Sequence, residues 1–188
     1  FRSFDWGSAR PFSVRWWAVS DGELPEFPRG AMISYREWYG AQHDAAGATI
    51  PNQGLRLTVE EVADGIVERE REDYYGTRTM NGVADPAIFA QNGGPSMADR
   101  MAARRCFFRP ADNTRVGRTG AAGGWDQVRA RLKGEDGRPM IYWFDTCREF
   151  IRTFPALQHD EMRPEDLDSD GEDHCADEVR YACLSRPY

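Results

Sequence analysis

The chain has 188 residues, 40% of them hydrophobic, and a net charge of −7. That length suits one domain with a full core, and no apolar run reaches the ~20 residues that a membrane-spanning helix needs. An acidic chain is not a simple DNA-coating module, and its four cysteines lack the paired spacing of a zinc site or the density of a disulfide scaffold.

Arg2, Asp5 and Arg10 interrupt any apolar leader at the start. The opening without Met, almost inside a strand, reads as a domain excised from a longer protein. Strand signals lie around Phe4, from Phe12 to Ser20 and from Ala31 to Tyr39. Gly7 to Pro11 and the turn dipeptide Asp21-Gly22 separate them, and such short connections make antiparallel neighbours. Gly40 to Gly54, rich in Ala and Gly and holding Pro51, reads as a loop. Thr58-Val-Glu-Glu61 is a capping box that opens a helix with Val59, Val62, Ile66 and Val67 on one face. Glu68 to Asp73 alternates in charge and reads as that helix's solvated side. Thr79 to Ala84 then returns as a strand parallel to the first, stopped by Asp85-Pro86.

Ser96 to Arg105 is predicted helical, and Cys106 to Phe108 a short strand. Arg109 to Gly124 is a glycine-rich, mobile loop whose Arg109, Arg115 and Arg118 suit contacts to a DNA backbone. Trp125 to Lys133 is a helix, Met140 to Phe144 a strand, and Cys147 to Leu157 a helix with Phe150, Ile151 and Phe154 on one side. Pro164 to Leu167 is a helical turn. His43 and His159 read as structural. The last helix is expected to begin near Ser169, where Ser169-Asp-Gly-Glu172 has capping-box spacing. Cys175, Val179, Ala182 and Cys183 make its buried stripe. Asp173 and Asp177, one turn apart, face away from that stripe beside Arg180. The expected architecture is α/β: one mixed sheet, its first three strands antiparallel, with helices on both faces.

Asp5 and Asp85 sit at strand ends, and Asp173 on a helix packed beside them. Three hard oxygen donors converging from separate elements suit divalent-metal cleavage of a phosphodiester. Each acid also has a plain structural reading. Asp5 and Asp85 can start turns, and Asp173 can favour a helix N-terminus through the macrodipole.

Three stretches resemble the C-terminal nuclease domain of the large terminase subunit of tailed bacteriophages. They are Phe4-Asp-Trp-Gly-Ser-Ala-Arg-Pro-Phe-Ser13, Gly82-Val-Ala-Asp-Pro86, and the tail from Leu157, in which Glu172-Asp-His-x-x-Asp-x-x-Arg-Tyr181 is most specific. The resemblance spans the whole chain as a single domain. It implies a ribonuclease-H-like fold and a two-metal-ion endonuclease that cuts concatemeric DNA during genome packaging. It also implies one or two Mg²⁺ or Mn²⁺ ions, with Asp5, Asp85 and Asp173 as catalytic carboxylates and metal ligands.

Many relatives carry Asp-Asp-x-x-Asp-Ala at the last site, where this chain has Asp173-His-Cys-Ala-Asp177-Glu. Asp177 is therefore a further candidate ligand, and His174 and Arg180 are candidates to support the ligands from behind. The family's partners would be double-stranded DNA, a packaging ATPase domain of the same protein, the small terminase subunit and the portal. The setting would be the cytoplasm of an infected bacterium, with no membrane. No Gly-x-x-x-x-Gly-Lys-Ser/Thr run occurs, so the ATPase half is not in this sequence. Other readings are a non-catalytic docking domain of a packaging motor, and a ribonuclease H or junction resolvase on the same fold.

Overall fold

The computed structural model describes residues 1–74, 80–118 and 121–188. Its main sheet has six strands: β1 (Arg2–Asp5), β2 (Ser13–Val19), β3 (Met32–Tyr39), β6 (Asn81–Ala84), β7 (Phe107–Pro110) and β8 (Ile141–Trp143). They lie in the order β7-β6-β1-β2-β3-β8. The three N-terminal strands pair antiparallel, β6 lies parallel to β1, and β7 and β8 add parallel edges. The expected mixed sheet is thus borne out. Thr79, the expected start of β6, lies outside the described residues.

Alternation along the central strands divides the core. Phe4, Val14 and Trp16 face α1 (Val59–Tyr74) and α2 (Met97–Ala103), where Val59, Val62, Ile66 and Met101 pack. Beside a bulge in β3, where Tyr35 is the extra residue, ordinary strand alternation turns Trp17 to the opposite face. There it joins α3 (Gly124–Lys133), α4 (Arg148–Thr153) and α5 (His174–Ser185), through Trp125, Phe150, Cys175 and Val179. Helices therefore cover both faces. No helix among the described residues is long and apolar enough to cross a membrane.

Four local expectations need correction. Residues 40–54 are not a loop but a hairpin, β4 (Ala41–His43) with β5 (Thr49–Gly54). The Asp44 carboxylate accepts from the N–H groups of Ala46 and Ala48, both at 2.9 Å, and Gly47 supplies a φ of 82°. Pro51 is tolerated because a two-stranded ribbon leaves each strand one open edge. The last helix begins at His174 rather than Ser169. Glu172 does not complete a capping box; its carboxylate takes the Arg152 guanidinium at 2.6 and 2.9 Å. Ile151 is exposed while Phe150 is buried, so the α4 apolar face is narrower than its spacing suggests. Glu70, read as part of a solvated charge run, is buried against the sheet.

That burial reveals how the helices are keyed. Glu70 of α1 pairs with the buried Arg2 and accepts from Trp16 Nε1 at 2.9 Å. On the other face, Glu178 of α5 accepts from Arg15 Nε at 2.7 Å and from the Ser3 hydroxyl. Arg15 also reaches Glu37 and Ser34, both at 3.2 Å. Removing one member of such a pair strands a charge in the core. We expect Glu178→Ala to cost about 3–5 kcal/mol in denaturant unfolding, and the Arg15→Met/Glu178→Met double variant to recover most of that loss. Equal losses in the two variants would disprove the pairing effect.

Candidate active site

The β1–β6 register brings two acids together. Phe4 pairs with Ala84, and the Asp85 N–H donates to the Phe4 carbonyl at 3.0 Å, so Asp5 and Asp85 leave neighbouring parallel strands at the same end. Asp85 starts a 3₁₀ turn over Pro86–Phe89, and its Oδ1 accepts from the Ala87 N–H at 2.9 Å. The first turn of α5 meets this edge. His174 Nδ1 lies 3.3 Å from Asp5 Oδ2, and its Nε2 is buried without a partner among the described residues. Asp173 is the α5 N-cap, but its side chain caps no N–H. Asp177, one turn on, is held by Arg115 Nη1 at 3.0 Å and by Arg180 Nε at 3.0 Å.

No family model matches the chain, and no curated protein matches it. Solved structures do match. The large terminase of a thermophilic bacteriophage aligns with a TM-score of 0.64 and 19% identity, over 98% of this chain and 38% of that one. The P22 large terminase nuclease domain aligns with a TM-score of 0.62 and 14% identity, over 98% of this chain and 79% of that domain. The fold is that of a large-terminase nuclease domain. This chain spans well under half of the thermophilic phage protein's length.

Within this terminase fold, the charges of the site act on one another. Asp5 is 7% exposed. Burial pushes its carboxyl up to about 7, the charges of Asp177 and Asp85 add to the rise, and the His174 hydrogen bond opposes it. Asp173 is raised by burial and then by Asp177. For His174, burial lowers the pKa, but the Asp5 hydrogen bond and the Asp5 and Asp173 charges outweigh it, so the net direction is upward. Tyr181, one turn beyond Asp177, is buried and feels Asp5, Asp177 and Asp85. Asp177 is thus the acid of α5 that acts on both Asp5 and Asp173.

As the side chains stand, no three His, Cys, Asp or Glu groups among the described residues are spaced to hold a metal ion. The donor set nevertheless fits a hard divalent cation in kind. It consists of carboxylate oxygens, two of the acids hold protons above their ordinary range, and a cation would remove the repulsion behind part of that rise.

The three loop arginines part company. Arg109 and Arg118 are exposed. Arg115 is half-buried and spent internally, with Nε on Asp166 at 2.7 Å and Nη1 on Asp177. The loop's glycines serve close packing: a Cβ on Gly123 would lie 2.2 Å from the Gly117 nitrogen, and one on Gly124 would lie 2.4 Å from Arg180 Cγ. Arg180, in turn, reaches Asn113 Oδ1 at 2.8 Å. Asp166 was missed by sequence reasoning, since one acid among many in the stretch 160–178 carries no distinguishing mark. It is 3% exposed and also accepts from Trp125 Nε1 at 2.9 Å. An open groove of about 910 Å³ is lined by Arg115, Arg118 and Arg163 and by Asp112, Glu165 and Asp166.

Asp5 and His174 both bind protons more tightly folded than unfolded, so folding stability should fall as pH rises from about 4 through neutrality. The Asp5 share is on the order of 4 kcal/mol. Unfolding in EDTA at pH 5 and pH 8 should show this slope, and Asp5→Asn should flatten it. A metal-free protein more stable at pH 8 than at pH 5 would contradict the assignment.

Proposed function

We propose that this chain is a metal-dependent DNA endonuclease domain that cuts concatemeric viral DNA during genome packaging. The observation that carries this reading is the meeting of acids from three elements at one sheet end: Asp5 from β1, Asp85 after β6, and Asp173 and Asp177 from α5. These four residues would hold one or two Mg²⁺ or Mn²⁺ ions, which supply Lewis-acid polarisation of the phosphate and of the attacking water.

The chain's own residues do the positioning. His174 fixes the Asp5 carboxylate at 3.3 Å, and Arg180 orients Asp177 while anchored to Asn113 and Thr114. The Arg118 side of the groove offers exposed charge for the DNA backbone, as Arg109 does on the β7 edge. Such contacts hold the duplex in register without reading its sequence. A packaging ATPase domain in the same protein, a small terminase subunit and a portal are the proposed partners. The host cytoplasm is the proposed setting. One structure of the thermophilic phage's large terminase is a complex with ATP-γ-S, and this chain covers 39% of that protein.

The test is plasmid nicking with Mg²⁺, Mn²⁺ or EDTA. Cleavage should require metal and should fall by orders of magnitude in Asp5→Asn and Asp85→Asn, with the fold retained. Asp173→Asn and Asp177→Asn then decide the direct ligand on α5; the larger loss marks it. Cleavage by Asp5→Asn at the unmodified rate would overturn the reading. A non-catalytic docking domain has one observation in its favour, the lack of a preassembled metal cluster among the described residues. Absence of metal-dependent nicking of any DNA would select it. Preferential cutting of junctions or RNA–DNA hybrids would instead select a resolvase or ribonuclease H activity.

Arg118→Ala should weaken binding to unrelated duplexes alike and reduce the slope of log affinity against log salt by about 1. An unchanged slope would exclude Arg118 from the interface.

A further inference from the structure

Asp177 is doubly bound by arginine, and the two arginines differ in kind. Arg180 is 1% exposed at its side chain, lies along Gly124, and donates to Asn113 and the Thr114 carbonyl as well as to Asp177. It is built into the packing. Arg115 comes from the loop between β7 and α3, and its side chain is 24% exposed and lines the groove. Its Nη1 spans both Asp177 oxygens at 3.0 and 3.1 Å. Its Nε is tied separately to Asp166, and its guanidinium lies 5.4 Å over the Trp125 ring. Its Nη2 is buried with no partner among the described residues.

This guanidinium places a positive charge on both oxygens of the acid that acts on Asp5 and Asp173. A divalent ion ligated by Asp177 needs at least one of those oxygens, and two cations close together on one carboxylate repel. We propose that Arg115 is the exchangeable counter-ion of the metal-free site, the cation that a divalent ion must displace from Asp177. The inference rests on the metal-site reading above and adds a residue that tunes it. The backbone around Arg115 is fixed, since the Trp125 N–H donates to its carbonyl at 3.1 Å and the Gly124 N–H to that of Thr114 at 3.0 Å. Asp166 is the second anion within reach of the same guanidinium. Exchange therefore asks only that Nη1 leave Asp177 while Nε stays on Asp166. Asp177 keeps its orientation throughout, because Arg180 remains.

Two substitutions should move metal affinity in opposite directions. Arg115→Met keeps length and removes the competitor. Asp166→Asn keeps an acceptor for Trp125 Nε1 but removes the charge that shares Arg115, leaving the guanidinium to Asp177 alone. Mn²⁺ alone, without DNA, is titrated into each protein by calorimetry and thermal melting. Relative to the unmodified chain, Arg115→Met should have a lower metal-free Tm, a larger Mn²⁺-induced rise, and a Kd roughly three- to tenfold tighter. Asp166→Asn should bind Mn²⁺ more weakly. A weaker or unchanged Kd in Arg115→Met would overturn the proposal and make Arg115 a positioning residue for Asp177. Failure of the unmodified chain to bind Mn²⁺ would overturn the metal-site reading itself, and this inference with it.

Discussion

Glu178 and Arg15 have no exposed side-chain surface, and their contact decides where α5 lies. A helix held only by Cys175, Val179, Ala182 and Cys183 could slide or rotate along an apolar sheet face at modest cost. A buried carboxylate cannot, because every alternative register leaves it and Arg15 unpaired in a medium of low dielectric constant. Ser3 supplies a further hydrogen bond to Glu178 from β1, the strand that ends in Asp5. One polar knot therefore ties α5, β1 and β2 together. It lies one helical turn from His174 and next to Asp177 in sequence, so the placement of the site's acids follows from it.

The opposite face uses the same device. Arg2 and Glu70 fix α1 beneath β1, and Trp16 closes the set through its indole N–H. β1 is thus clamped from both sides by arginine–glutamate pairs that alternate with its neighbours' apolar residues. Such clamping matters for a strand only four residues long whose last member is a buried acid. Asp5 tolerates its burial and its repulsion from Asp85 and Asp177 because the backbone beneath it cannot relax away.

The site itself is a balance between gathered acids and the basic side chains that hold them. Arg180 is structural, Arg115 is shared between Asp166 and Asp177, and His174 shields Asp5. A cluster of this composition concentrates part of the chain's net charge of −7 and pairs it internally.

Much of the architecture was legible in local sequence. The alternation Phe4, Val14, Trp16, the Thr58–Glu61 capping box, and the helical stripe from Cys175 to Cys183 each follow from interactions within a few residues, which chain order records directly. Asp5 and Asp85 were legible as strand-end acids for the same reason. Even Glu178 had a local signal, since it stands at i+3 from Cys175, inside the apolar stripe. What chain order could not express was the partner across space. It gave no sign that Arg115 and Asp166, 51 residues apart, would meet over Asp177, nor that Glu70 would leave a charged run for Arg2. By itself the sequence determined the elements, their faces and the acids available, because propensity, periodicity and capping are short-range. Only the tertiary structure decided which charges neutralise one another and which acid of α5 acts on Asp5. Those choices depend on strand register and on desolvation, and neither exists until the sheet and helices have packed.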